Sequence, residues 1–297
     1  MHDQQNSGGA AGATIGLAHE TWGALDDFDV RAATDTPTRH DVLGAELPLS
    51  ALAVRRPGAR RLVVHLHGTL NRASVTLPRF ERLRTLSELD TNLLLLADTT
   101  LTVEPSLPTA WYVGTPEVAL TDRYSALIRA VIEQWGIEHT VIAGASSGGF
   151  AALALAPRVP EALSVAFSPQ TRIRLRPTAR PFRQFVYNRF GGWDGIEARP
   201  ELRPRVDLTQ LYDELPGGRT WYVQNTGDAE HMEQHAAPFM AAHPDRVTMI
   251  EEYHCPGHNP PSPRRVTEWI QQALDSPGSD PLEFVKRPPP EVPIIVR

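Results

Sequence analysis

The chain has 297 residues, 41% hydrophobic and 22% charged, with a formal net charge of -6 and one cysteine, Cys255. Such a length and composition suit one large soluble domain with a sizeable core. The acidic balance argues against nucleic acid as a general partner, one cysteine excludes an intramolecular disulfide framework, and no run approaches the ~18 apolar residues of a membrane span.

The opening residues, MHDQQNSGGAAGATIG, have neither a basic start nor an apolar run. No Sec-type signal peptide is therefore expected, and the location is expected to be cytoplasmic. Residues 1–18 are small and polar and are expected to be disordered. Between Ala24 and Val54 the pattern suggests two antiparallel strands leading into the domain. Short apolar runs then alternate with helical patterns. Strands are expected at Arg61–Leu66, Asn92–Ala97, Thr140–Ala143, Leu163–Phe167, Thr220–Gln224 and Val247–Tyr253. Helices are expected at Leu77–Leu89, Tyr124–Trp135, Ser147–Ala156, Met232–Ala242 and Arg264–Leu274. This alternation predicts an α/β fold, a mostly parallel, doubly wound sheet with helices on both faces. The domain is expected to span 19–275. One segment breaks the rhythm, an Arg- and Pro-rich stretch at about 170–218 that retains Phe182, Phe185, Tyr187, Phe190 and Trp193, read as a small cap insertion. The Pro-rich tail, 276–297, cannot be a regular helix; its apolar patch Val292–Val296 is expected to be loosely attached.

Gly144-Ala145-Ser146-Ser147-Gly148 fits G-x-S-x-G between a strand and a helix. That context suits a strained turn holding a serine hydroxyl in the open, with small residues on either side where strand and helix cross. The helix N-terminus beside it favours developing negative charge. Ser146 is the candidate nucleophile, and Ser147 is its rival, with Ala145 and Gly149 around it. A serine needs a base, and the base needs an orienting acid. After the strand at Thr220–Gln224 comes Asn225-Thr226-Gly227-Asp228, a turn ending in a carboxylate. After Val247–Tyr253 comes the loop His254-Cys255-Pro256-Gly257-His258. His254 is the alternative base, and Glu230 and Asp194 are the alternative acids.

With HLHGT (65–69), GASSGG (144–149), NTGD (225–228) and PGHNPP (256–261), the chain resembles the α/β-hydrolase superfamily from about Ala24 to Leu274. The resemblance implies Ser146 as nucleophile, His258 as general base and acid, and Asp228 as the group that orients the imidazole. It also implies an oxyanion hole from the backbone amides of Ser147 and, through the HG-x pattern, Thr69, with Gly68 and Leu70 beside the substrate. SPQ (168–170) is similar to a stretch in hydrolase relatives encoded with surface-glycan enzymes. The expected activity is hydrolysis of a carboxylic ester or related acyl bond of a small molecule through an acyl-enzyme, with no cofactor and no metal. Acyl transfer or glycan acyl-ester cleavage by the same residues is the alternative, and a non-catalytic binding protein of this fold is the alternative of another class.

His65 and His67 are expected to be structural. His231 and His235 stand four apart on one helix face, a metal-ligand spacing, and are expected instead to lie on an exposed or packed face. Of the cap's arginines, Arg172 and Arg174 are the candidates for an anionic group of the substrate, against the commoner meaning of a solvated basic face. Nothing in the sequence fixes the oligomeric state.

Overall fold

A computed structural model of the chain describes residues 17–175, 180–276 and 294–296. Ten strands form one sheet: β1 (Ala18–Trp22), β2 (Thr38–Val42), β3 (Leu49–Val54), β4 (Arg61–Leu66), β5 (Asn92–Leu96), β6 (His139–Ala145), β7 (Leu163–Phe167), β8 (Arg219–Asn225), β9 (Val247–Glu252) and β10 (Ile294–Val296). Their spatial order is β1-β2-β3-β5-β4-β6-β7-β8-β9-β10. From β5 to β9 every pairing is parallel. β3 runs antiparallel to both its neighbours, and β10 runs antiparallel to β9.

The predominantly parallel sheet expected from the alternating pattern is present, with three differences at its margins. An additional strand, β1, precedes the expected pair and lies parallel to β2. The helix expected over Leu77–Leu89 contracts to α1 (Leu83–Leu86), because Arg82 takes a left-handed φ of 66° that a helix cannot contain. The tail expected to be loosely attached pairs through Ile294–Val296 with the edge of β9. Residues 1–16 and 277–293, on which the expected N-terminal disorder and most of the tail fall, lie outside the described residues.

The remaining helices are α2 (Leu120–Trp135), α3 (Ser147–Leu155), α4 (Arg180–Phe190), α5 (Gly192–Glu197), α6 (Leu208–Glu214), α7 (Ala229–His231), α8 (Ala237–Ala242) and α9 (Pro263–Asp275). Side-chain alternation along the central strands explains the layering. On β4 and β5, Leu62, Val64, Leu66, Leu94 and Leu96 face α2 and α3, while Val63, Leu93 and Leu95 share a cluster with α1 and α9. Successive strand residues point to opposite faces, so an unbroken apolar run is what a sheet covered on both sides requires. In α9, Val266, Trp269, Ile270, Ala273 and Leu274 are buried at helical spacing. Its start is fixed by Ser262, whose Oγ accepts from the Arg265 amide at 3.2 Å, and by Pro263 at the first helical position. Every residue of α3 is buried, as befits the helix that crosses the centre of the sheet.

Between β7 and β8 the chain forms α4, α5 and α6 with short 3₁₀ turns. Phe182, Phe185, Phe190, Ile196 and Leu211 join Trp111, Phe150 and Leu153 in a third apolar cluster on the main domain. Burying a side chain of this size contributes roughly 1.5–3 kcal/mol, which explains why this Arg- and Pro-rich segment is folded.

Candidate active site

Ser146 sits between the end of β6 and the start of α3 with φ 54° and ψ -118°. A non-glycine residue there costs on the order of 1–3 kcal/mol, and the turn is held by packing that excludes alternatives. A Cβ on Gly144 would lie 2.3 Å from the Gly148 carbonyl oxygen, and one on Gly148 would lie 2.5 Å from that of Leu66. The Ser146 amide donates to the Phe167 carbonyl and its own carbonyl accepts from the Phe150 amide, both at 2.9 Å. Strand and helix therefore touch through glycines while the serine projects past the carboxyl edge of the sheet. Its rival Ser147 is the first residue of α3 and is buried.

His258 Nε2 lies 2.9 Å from Ser146 Oγ, and His258 Nδ1 lies 2.8 Å from Asp228 Oδ2. The carboxylate only accepts, so Nδ1 carries the proton and the Nε2 lone pair faces the hydroxyl. Burial pushes the Asp228 carboxyl up, but the hydrogen bonds from His258 and from the His231 amide hold it below its ordinary value. Asp228 also caps α7, accepting from the His231 amide at 3.2 Å.

The loops carrying these two groups are joined by Asn225, the last residue of β8. Its Nδ2 donates to the Cys255 and Gly257 carbonyls at 2.9 Å each, and its Oδ1 accepts from the Gly227 and His254 amides. Behind the His258 loop, the buried Glu252 accepts from Arg265 Nε at 2.9 Å and from Trp269 Nε1 at 3.1 Å, tying β9 to α9. Of the alternatives weighed from the sequence, His254 lies 3.6 Å from Glu252, whereas Glu230 and Asp194 are exposed.

Three further side chains enter the site. His231, 1% exposed, approaches Asp228 Oδ2 through Nδ1 at 3.0 Å and stacks on His258, with ring centroids 3.9 Å apart and planes 13° from parallel. Gln170, wholly buried, places Nε2 at 2.8 Å from His231 Nε2 and 3.2 Å from Ser146 Oγ. The Trp111 indole donates to Gln170 Oε1 at 3.0 Å. The expectation that His231 and His235 occupy an exposed or packed helix face thus resolves to a packed face turned into the site. His235 is buried as well, and its Nδ1 accepts from the Thr171 amide at 3.2 Å. An i,i+3 spacing of Asp228 and His231 was the available signal for His231. For Gln170 it was the position just past β7, beside the serine turn.

Across the site, the His67-Gly68-Thr69-Leu70 loop is braced from below. His67 Nδ1 donates to the Gly68 carbonyl at 2.8 Å and Nε2 accepts from the Asp98 amide at 3.0 Å, so the ring is neutral, and burial lowers its pKa to about 4. Burial likewise takes His65 down to about 3. Both histidines serve the scaffold. The Leu70 amide donates to the Pro108 carbonyl at 2.8 Å. In the planar trans peptide the Thr69 N–H points opposite the Gly68 carbonyl, away from the His67 ring. Gly68 itself lies against the turn, since a Cβ there would stand 3.1 Å from the Ala145 carbonyl oxygen.

Arg172 and Arg174 are engaged within the insertion. Arg172 pairs with Asp207 at 3.6 Å, and Arg174 lies 3.5 Å from Glu197 and over the Trp193 ring. Among the described residues, Asp228, His231 and His258 place potential metal-ligand atoms within 4.8 Å of one another. The Nδ1 atoms of both rings already pair with the carboxylate, so a cation there would compete with the hydrogen bonds described above. No described helix is long and apolar enough to cross a membrane.

No protein-family model matches the chain, and no curated protein matches it by sequence. Solved structures do resemble it. The capsule O-acetyltransferase of Neisseria meningitidis serogroup A superposes with a TM-score of 0.58 at 14% identity, over 77% of this chain and 95% of that one. A complex of the protein pOPH with pNPB gives 0.54 at 16% identity, over 93% and 97%. Esterase B from Lactobacillus rhamnosis gives 0.50 at 14% identity, over 77% and 81%. At such identities the likeness carries the architecture, and that architecture is of the α/β-hydrolase type.

Proposed function

We propose that the chain is a serine hydrolase of carboxylic esters, working through an acyl-enzyme on Ser146. The observation that carries this reading is the line Ser146 Oγ, His258 and Asp228, with separations of 2.9 and 2.8 Å. As Oγ attacks the acyl carbon, its proton passes to His258 Nε2. The imidazolium then protonates the leaving alcohol, and Asp228 stabilises the charged ring while holding its tautomer. The amides of Ser147 and Thr69 are assigned to the oxyanion; Gly68 and Leu70, the latter with its amide engaged by the Pro108 carbonyl, shape the wall beside it. Loss of one such donor typically costs about 10²–10³ in rate. Water activated by the same His258 releases the acid. The chemistry draws on protein groups alone, so no cofactor is assigned. The helices between β7 and β8 act as the cap, closing on Trp111 through Phe182.

A second reading, acyl transfer to a hydroxyl acceptor, is favoured by the likeness to the capsule O-acetyltransferase, which spans nearly all of that protein. Both readings share the first half-reaction and differ in what attacks the acyl-enzyme. Treatment with a fluorophosphonate is expected to label Ser146. Ser146→Ala is expected to lower p-nitrophenyl ester turnover on the order of 10⁴-fold or more. Product analysis with and without alcohol or glycan acceptors separates hydrolysis from transfer. Unlabelled Ser146 together with undiminished turnover in Ser146→Ala would leave only a binding protein of this fold.

A further inference from the structure

The five side chains at the centre of the site close a ring of polar contacts. Ser146 Oγ meets His258 Nε2 at 2.9 Å; His258 Nδ1 meets Asp228 at 2.8 Å; Asp228 meets His231 Nδ1 at 3.0 Å; His231 Nε2 meets Gln170 Nε2 at 2.8 Å; and Gln170 Nε2 returns to Ser146 Oγ at 3.2 Å. The ring assigns its own protons. Indole N–H is a donor only, so the Gln170 atom facing Trp111 is the oxygen, and the amide NH₂ faces the serine. The Asp228 carboxylate fixes the proton of His231 on Nδ1, leaving its Nε2 lone pair to accept one N–H of Gln170. The other N–H of Gln170 is directed at Ser146 Oγ. With one lone pair of Oγ occupied, the hydroxyl proton has His258 Nε2 at 2.9 Å, against Gln170 Oε1 at a longer 3.5 Å.

A second, independent observation concerns the backbone. Among the described residues, six other than glycine have positive φ; one is Ser146 itself (54°), and Ser168 (41°) and Trp111 (51°), with Tyr112 (59°) next to it, lie on the segments that lead to Gln170 and to its indole donor. Ser168 begins the turn that swings Gln170 off β7. That turn is held by the Asn225 amide donating to Ser168 Oγ at 3.2 Å and by Tyr222 Oη donating to the Pro169 carbonyl at 2.8 Å. Strain at each such residue, on the order of 1–3 kcal/mol, persists only where the surroundings over-determine it. At Ser168 and Trp111 the strained backbone leads to the buried Gln170 amide and to its indole donor.

We infer that Gln170 is a catalytic residue that donates to Ser146 Oγ, and that His231 and Trp111 are positioning residues that fix its amide. The inference rests on Ser146 being the acylated nucleophile. In acylation, the Oγ–H bond breaks toward His258 Nε2 while the Oγ electron pair forms the bond to the acyl carbon. Gln170 N–H stabilises the negative charge on Oγ before that bond is complete, and does so again when Oγ departs in deacylation. This donor acts on the nucleophile, so it is distinct from the amides that serve the carbonyl oxygen.

The test is the single-turnover acylation rate with p-nitrophenyl acetate, expressed per site titrated with fluorophosphonate, which makes it independent of the folded fraction. Gln170→Leu is expected to slow acylation about tenfold with the half-saturating substrate concentration of the single-turnover rate unchanged, the scale of one hydrogen bond. His231→Phe, which keeps the stacked ring, and Trp111→Phe are each expected to slow it about threefold. Neither is expected to slow Gln170→Leu further when combined with it, and the two Phe variants carry the test if Gln170→Leu does not fold. Wild-type acylation rates per titrated site in these variants, with Ser146→Ala inactive, would overturn the role of Gln170. An acylation burst that survives Ser146→Ala would instead overturn the serine reading beneath it.

Discussion

Asn225 is a buried amide with two carbonyls in front of its nitrogen and two amides in front of its oxygen. It joins the loop that presents Asp228 to the loop that presents His258, so its loss should disturb the geometry of that pair as well as the fold. Asn225→Ala leaves four backbone groups of half-buried or exposed loop residues without this partner, and each costs up to about 1–3 kcal/mol less whatever relaxation and water recover. A loss of about 3 kcal/mol in denaturant unfolding is expected, with kcat falling more than tenfold. Unchanged kcat in the folded variant would show that the loops hold their spacing unaided. The sequence exposed this scale unevenly. Ser146, Asp228 and His258 are brought together as expected, because each stands at a strand's carboxyl end where a turn pattern marks it. Asn225 read only as part of a turn, since the carbonyls it serves lie on another loop. Gln170 and His231 carry no pattern that distinguishes a satisfied polar network from a packed core.

At the scale of elements, the strand-turn-helix unit around Ser146 depends on a separation that only glycine permits. The Cβ of Gly144→Ala would stand 2.3 Å from a backbone oxygen, which cannot yield without moving α3 relative to β6. Gly58 makes the comparison: its φ of +87° disfavours a side chain, but nothing lies within 4 Å of the added atom. Gly58→Ala should therefore cost about 1–2 kcal/mol, the conformational term alone, whereas Gly144→Ala should cost more than 3 kcal/mol and abolish ester turnover. Equal midpoints for the two variants in chemical denaturation would remove the steric explanation of the turn. The central strands and long helices were legible because unbroken apolar runs and 3.6-residue spacing each have one structural meaning at their length. The Leu77–Leu89 helix was not, because the left-handed turn at Arg82 follows from tertiary packing that no local pattern encodes. The helix after Asp228 was legible in extent but not in phase. Met232–Ala236 form a π-helical turn between α7 and α8, a feature often found at functional sites.

For the whole molecule, the fold is governed by a sheet whose carboxyl edge collects the loops after β4, β5, β6, β7, β8 and β9. Asp98, just past β5, joins the loop after β4 to two parts of the connection after β5 beneath the site. Its backbone amide donates to His67, while its carboxylate accepts from the Tyr112 amide at 3.0 Å and the Thr100 amide at 3.1 Å. Burial raises its pKa to about 6, against the lowering pull of those amides and of the Thr100 hydroxyl. A carboxyl whose folded pKa lies above its unfolded value of 3.8 contributes stability that is complete below 3.8 and is lost as pH rises through about 6. Asp98→Asn cannot titrate, so wild type should lose unfolding free energy relative to this variant between about pH 4 and pH 6, and the difference should be level above that window. Urea unfolding of both proteins at pH 4, 5, 6 and 7.5 measures it. A difference independent of pH would mean that Asp98 is ionised throughout, stabilised by its amides, and that the burial beneath the site is less dry than its 2% exposure implies. A decline confined to the wild type would place a protonatable carboxyl under the His67 loop, coupling the support of Thr69 and Trp111 to pH. Ester turnover should rise with pH in both proteins as His258 becomes the free base, and the wild type should carry an additional change over this window that Asp98→Asn lacks.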